Sequence, residues 1–341
     1  MVGFVNNNRS KYIGLTLIAV ILFLFDIILG STSISLKEIL SLFGSNDTDP
    51  MISTIILEYR LPKAITALIS GIALSICGLQ MQTLFKNPLA DPYIMGISSG
   101  AGLGVAIFLM GSSFLGTSVI SSLGMSIGIT ISAWFGAFCI TMLIILLSKK
   151  LRDNLSLLIF GVMIGYIGSA LVGLLQYFSS STALKSYVVW SMGSFAGLSN
   201  SQLLILTLFL LIGILFSIYN IKDLNVLLLG EQYAENLGIN LRISKLRILI
   251  ATTLLAGSVT AFCGPIGFIG IAVPHIARAI FKNADHKILM GGCALVGIST
   301  MLFADIIASL PGQSGVLPIN TVSSLFGIPV ILIIIIKKRL I

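Results

Sequence analysis

The stretch YRLPKAITALISGIALSICGLQMQTLFKNPLADPYIMGISSGAGLG, Tyr59 to Gly104, decides what kind of chain this is. From Leu61 to Leu84 it carries a single charge, Lys63. That run is as long as a helix must be to cross the hydrocarbon core of a bilayer, about 20 residues. Asn87, Pro88, Leu89, Asp91 and Pro92 then make a kinked polar elbow, followed by glycines at 96, 100, 102 and 104. A nucleotide-binding loop is the first idea to test, and it fails: the spacing is not G-x-G-x-x-G, and no G-K-[ST] occurs in the chain.

Working outward, the same pattern fills the whole sequence. Of 341 residues, 56% are hydrophobic and 9% charged, against roughly 25% charged in soluble domains. Mean hydropathy is +1.07. These values define an all-α polytopic membrane protein. Apolar runs and breakers predict ten transmembrane helices, near 12–31, 62–83, 92–110, 118–147, 155–178, 199–218, 244–263, 268–282, 288–309 and 319–336. The whole chain, 1–341, reads as a single transmembrane domain. The first run is too long for a cleaved signal peptide and is expected to stay as a span.

The net charge of +8 does not signal nucleic acid. The basic residues sit in short clusters between apolar runs, RSK, SKKLRD, LRISKLR and the terminal KKRLI. With both termini cytoplasmic, sixteen Lys and Arg fall inside and four (Lys37, Arg60, Lys63, Lys185) outside, as the positive-inside rule requires. The four cysteines stand singly in apolar runs, so buried reduced thiols are expected.

The longest cytoplasmic connection, Asn220 to Arg247, is too short for a soluble domain. Gly230 and Gly238 read as stops for two short helices, DLNVLLL and EQYAEN. Their apolar residues need cover, from lipid headgroups or from a cytoplasmic partner. ITALISGIALSICG (65–78) and ATTLLAGSVTAFCG (251–264) align without gaps and run in opposite directions across the membrane, as an inverted repeat would. Gly96, Gly100 and Gly104, and Gly161 and Gly165, recur four apart and form smooth helix faces for packing or a pathway. Gly264, Pro265 and Gly267 break a later span where it would line a cavity.

Catalytic and metal-ligating constellations are poor. The only histidines are His275 and His286, and no carboxylate pair or His cluster has ligand spacing. No cofactor is expected, and no nucleophile with its base suggests an intramembrane enzyme. Asp26 and Asp305 lie near the outer ends of their spans, where interfacial placement or one buried hydrogen bond is expected. An ion-coupled carrier acting alone would show more buried charge, so energy supplied by another subunit is favoured.

Tyr59–Gly104, LLGEQYAENLGIN and GPIGFIGIAVPHIAR together resemble the FecCD-type permeases, the membrane subunits of binding-protein-dependent ABC importers for ferric siderophores, haem and cobalamin. The resemblance runs over essentially the whole chain. It implies a homodimer of ten-span subunits in the cytoplasmic membrane, two cytoplasmic ABC ATPases and an outer substrate-binding protein. It implies a cytoplasmic gate at Asn87, Pro88 and Leu89, with Asn154 and Leu155 beside it as bulkier stand-ins for small hydroxyl residues. It implies coupling to the ATPase through Glu231, Ala234, Leu237 and Gly238 within a loop of about 220–243, and docking of the binding protein on Arg60 and Lys63. Cobalamin-type members carry an Arg where this chain has Ser309, and the usual ELP is Val316-Leu317-Pro318 here. These departures weigh against cobalamin and towards an iron chelate; cobalamin or oxyanion import is the alternative within the family, and a secondary transporter the alternative outside it.

Overall fold

The computed structural model describes residues 2–30, 50–115, 122–148, 154–310 and 316–339. Lys37, the break at 311–315 and the side chain of Asn154 lie outside that description. The described helices are α1 (Val2–Ile28), α2 (Pro50–Leu84), α3 (Ile97–Leu115), α4 (Ser122–Ser148), α5 (Asn154–Phe178), α6 (Ser181–Ser191) and α7 (Asn200–Tyr219). Then come α8 (Ile221–Leu227), α9 (Glu231–Asn236), α10 (Leu241–Cys263), α11 (Ile269–Phe281), α12 (His286–Ala308) and α13 (Ile319–Arg339).

Seven of these are long and apolar enough to cross a membrane, and α3, α11 and α13 hold shorter apolar runs. Those ten correspond one to one with the ten expected spans. The described part of the 118–147 run lies in one continuous 27-residue helix, α4. Two features differ from expectation. Helix α6 had no counterpart among the spans; it is only 11 residues long, and Ser180 caps it by accepting from the Ala183 N–H. Helix α2 begins at Pro50 instead of near residue 62. Pro62 lies inside it because the turn before, Ile55–Arg60, is a π-helix in which the Leu61 N–H reaches back to the Ile56 carbonyl. The wide turn absorbs a proline whose ring and missing N–H would otherwise break the helix.

Helix α2 is the central pillar: 83% of its apolar window is buried, against 11% for α1. Thr66 sits in this interior because its hydroxyl donates to the Pro62 carbonyl four residues earlier, and the Thr83 hydroxyl has the Leu79 carbonyl within reach at 3.0 Å. The pillar packs on α12 where Gly71 and Gly297 face each other, and on α11 where Gly78 meets Gly270. A Cβ on Gly71, Gly78 or Gly297 would strike the partner's backbone, so glycine sets how near the helices come.

The two segments of the sequence repeat touch crosswise. Cys77 Sγ lies 3.7 Å from the Thr252 carbonyl, and Ser70 Oγ lies 3.8 Å from Cys263 Sγ. As one residue number rises the other falls, so the segments pack antiparallel.

Candidate functional site

The elbow is built by local hydrogen bonds. Asn87 N–H donates to Gln82 O, Ala90 N–H to Asn87 O, and Leu89 N–H to Asn87 Oδ1 at 3.0 Å. Asp91 then caps the turn Pro92–Met95 by accepting from the Tyr93 N–H at 2.8 Å. Full burial pushes the Asp91 carboxyl up to about 6. Gly96, at φ +74°, ends the turn in a conformation that suits glycine, and α3 starts at the next residue. Pro88 and Leu89 form the exposed tip. His275 Nε2 on α11 donates to the Pro88 carbonyl at 2.8 Å and holds that tip to the bundle.

The expected glycine faces are packing faces. Gly100 and Gly104 meet the α4 backbone at Gly136 and Ser132. A Cβ on Gly161 would lie 2.9 Å from the Ile94 carbonyl, and one on Gly96 would lie 3.3 Å from the Gly161 carbonyl. Helix α5 therefore rests on the chain just after the elbow. Leu155, 66% exposed, stands about 9 Å along the α5 axis from Gly161. Gly165 lies against Ser99, while the Gly267 N–H donates to Asn320 Oδ1 on α13 at 3.0 Å. Gly264, at φ +78°, presses on Trp190 and Gly193. Pro265 borders a cavity of about 220 Å³ lined by Ser98, Ser99, Ser169, Ser191, Tyr187 and Trp190.

Helices α8 and α9 end where the glycines predicted, with Gly230 at φ +116° and Gly238 at φ +84°. They are two-faced. Leu224, Leu227 and Ala234 are buried, while Leu229, Tyr233 and Leu237 are each more than 60% exposed. Of the expected coupling residues, Leu237 and Gly238 face outward and Ala234 faces inward. Glu231 pairs with Lys245 on α10 at 3.0 Å.

Arg60 and Lys63 do not stand free. Arg60 is only 8% exposed, and its Nη1 donates to the Ile27 and Ile28 carbonyls at 2.9 and 2.6 Å, closing the end of α1. Lys63 Nζ lies 3.0 Å from Asp305 Oδ2 on α12 and also donates to Ser309 Oγ. Asp26 and Asp305 are 5% and 2% exposed, so both are interior groups. Among the described residues, the buried Asp26, Arg60 and Asp305 thus gather with Lys63 in one cluster joining α1, α2 and α12, while the buried Asp91 stands apart in the elbow.

Sequence reasoning missed a chain of side chains around the C-terminal end of α2. Asn225 Nδ2 on α8 donates to Asp285 Oδ1 at 2.7 Å. Asn225 Oδ1 accepts from both the backbone N–H and Nδ1 of His286, each at 2.8 Å. His286 Nε2 lies 2.8 Å from Thr83 Oγ1 on α2. Next to Thr83, Gln82 accepts from Arg278 Nη1 at 2.7 Å and donates to the Gly270 and Ile271 carbonyls. The Lys287 N–H and Asn225 amide hold the Asp285 carboxyl below its usual value. The sole available signal was that both histidines lie towards the same side. Among the described residues, no group of three or more His, Cys, Asp or Glu could hold a metal ion.

A profile of the FecCD transport family matches residues 17–337. The chain belongs to the FecCD transport family. It is 35% identical to the vitamin B12 import system permease protein BtuC of Klebsiella pneumoniae over 332 residues, 97% of this chain and 95% of that one. It is 36% identical to the hemin transport system permease protein HmuU of Yersinia pestis over 326 residues, 95% of each. A solved inward-facing metal-chelate type ABC transporter superposes with a TM-score of 0.82 at 31% identity, covering 96% of this chain and 99% of that one. This FecCD chain is therefore a multi-pass inner-membrane permease subunit of the ABC importer kind and not itself catalytic. Permeases of this kind work with ATPase and binding-protein partners.

Proposed function

We propose that this chain is one of two identical permeases in an ATP-driven importer of an iron chelate, a ferric siderophore or haem. Both termini are cytoplasmic. Two ABC ATPases seat on α8 and α9, and an extracytoplasmic binding protein delivers the chelate. The observation that carries this reading is the two-faced α8–α9 pair. Its inner face is fixed by Leu224, Leu227 and Ala234, while its outer face leaves Leu229, Tyr233 and Leu237 bare. Exposed apolar residues on so short a segment mark a partner surface.

The gate is the Asn87–Leu89 tip with Leu155, where two protomers close on each other. The hydroxyl-lined cavity is one protomer's share of the pathway; its Ser and Tyr groups suit an oxygen-rich chelate. On the outer face, Lys63 keeps 18% side-chain exposure, enough to share its ammonium with a carboxylate of the binding protein. Cobalamin is the second reading, favoured by the identity to the vitamin B12 permease. Against it stand Ser309 and Val316 at the outer edge, by the family pattern.

The test is uptake by proteoliposomes holding the permease with its ATPase and binding protein. Haemin, a ⁵⁵Fe-labelled ferric siderophore and cyanocobalamin are offered separately. ATP-dependent uptake of an iron chelate is expected. Cyanocobalamin uptake alone establishes the second reading, and uptake driven by an ion gradient without ATP overturns both.

A further inference from the structure

The pillar α2 ends one turn before the elbow, and the cytoplasmic end of that turn is held by a side chain from elsewhere. We propose that Asn225, His286 and Thr83 are positioning residues, a hydrogen-bond relay that carries movement of coupling helix α8 to the gate elbow. The proposal rests on the permease reading above.

The relay is continuous; Thr83 and His286 are buried and Asn225 is half-buried. Its middle member, His286, is 1% exposed. It links three elements distant in sequence: Asn225 is 61 residues from His286, and Thr83 is 203 residues from it. Thr83 lies four residues before Asn87, and its carbonyl accepts from the Lys86 N–H at 3.3 Å, so its position sets where the elbow begins. His286 is thus hydrogen-bonded to both α8 and α2.

The proton positions follow from the geometry. Asn225 Oδ1 accepts the His286 backbone N–H, so it is the oxygen, and the ring proton must sit on Nδ1 to reach it. Nε2 then carries a lone pair and accepts from the Thr83 hydroxyl. That hydroxyl has a second acceptor in reach, the Leu79 carbonyl at 3.0 Å. When α8 draws His286 away, Thr83 can turn its proton to Leu79 and leave no donor unsatisfied. The link can therefore be released and remade, as a two-state element requires. A residue that merely filled space would need no such alternative acceptor.

The test uses the assembled importer with Leu89→Cys as gate reporter and the exposed Cys139 replaced by Ser. Cross-linking between protomers is compared without nucleotide and after ATP–vanadate trapping, alongside ATP hydrolysis. In this background the two states are expected to differ. Thr83→Val removes the hydroxyl at constant shape, and His286→Asn keeps the Asn225 bond while cutting the Thr83 bond. Each should shrink the nucleotide-dependent difference about tenfold, within the usual span of coupling between sites. ATP hydrolysis should stay within about twofold of the background. Thr83→Ser should restore the difference, and the Val and Asn changes combined should do no more than either alone, since they cut one link. If Thr83→Val does not assemble, His286→Asn reads the same bond. A full nucleotide response in the assembled variants, or hydrolysis and gating falling together, would overturn the relay alone. A background that responds to no nucleotide would overturn the permease reading with it.

Discussion

The two ends of helix α2 are held in opposite ways. In its N-terminal half, Arg60 and Lys63 are clasped by carbonyls of α1 and by Asp305 of α12. At the inner end, Gln82 and Thr83 are clasped by neutral or half-charged hydrogen bonds to α11 and α12. Removing one member of a buried ion pair strands a charge, at a cost of roughly 3–5 kcal/mol. Breaking a neutral bond whose donor has another acceptor costs about 1 kcal/mol. The same helix is thus held by buried charge towards one end and by bonds that can be remade at the other. The proposed relay needs that asymmetry: a fixed pivot and an end that can let go.

The largest effect that could break this comparison is at the anchor. Asp305→Ala leaves Lys63 with the Ser309 hydroxyl and the nearby Asp26 in place of its direct ion-pair partner. Stability should fall by roughly 3 kcal/mol, the low end for a stranded charge because Lys63 keeps some solvent contact. Thermal unfolding of the purified subunit in detergent measures it. Adding Lys63→Ala should recover most of the loss, because no charge is then stranded. An unchanged unfolding temperature for Asp305→Ala would show that the outer end is no anchor.

A change at the releasable side should act on coupling and spare the fold. Gly238 has φ +84°, and its N–H donates to Glu235 O. Gly238→Pro forbids both. The strain is local, of order 1–3 kcal/mol, at an exposed site where a new side chain meets nothing within 4 Å. We expect near-normal assembly with uptake per ATP reduced about tenfold, a typical coupling between sites. Wild-type uptake would remove α9 from the coupling path.

Much of this contrast was hidden from sequence for definite reasons. The ten spans were legible because apolar length is a local signal. The glycine stops at 230 and 238 were legible because positive φ favours one residue type. Pro62 misled because it marks a helix start by composition, whereas the π-turn that absorbs it leaves no residue signature. Arg60 and Lys63 read as surface cations because their partners lie 33 and 242 residues away along the chain. His286 read as a loop residue for the same reason: hydrogen bonds across helices have no spacing to recognise.

The smallest expected effect sharpens the inner end. Asp285 caps α12 by accepting from the Lys287 N–H at 2.9 Å and also takes the Asn225 amide. Asp285→Ala removes the cap, worth about 1 kcal/mol, but leaves the Asn225–His286–Thr83 bonds in place. Stability should fall slightly while the gate's nucleotide response stays intact, unlike Thr83→Val. The pH dependence gives an independent check. The folded carboxyl is held below its unfolded value, so its stabilisation is full at neutral pH and is lost as pH falls through the folded value. The gap in unfolding temperature between the native chain and Asp285→Ala should therefore be constant from pH 8 to pH 6 and close below about pH 4, where carboxylates take up protons. A gap that persisted at low pH would mean the side chain acts through packing, and the inner end would then owe its hold to more than hydrogen bonds.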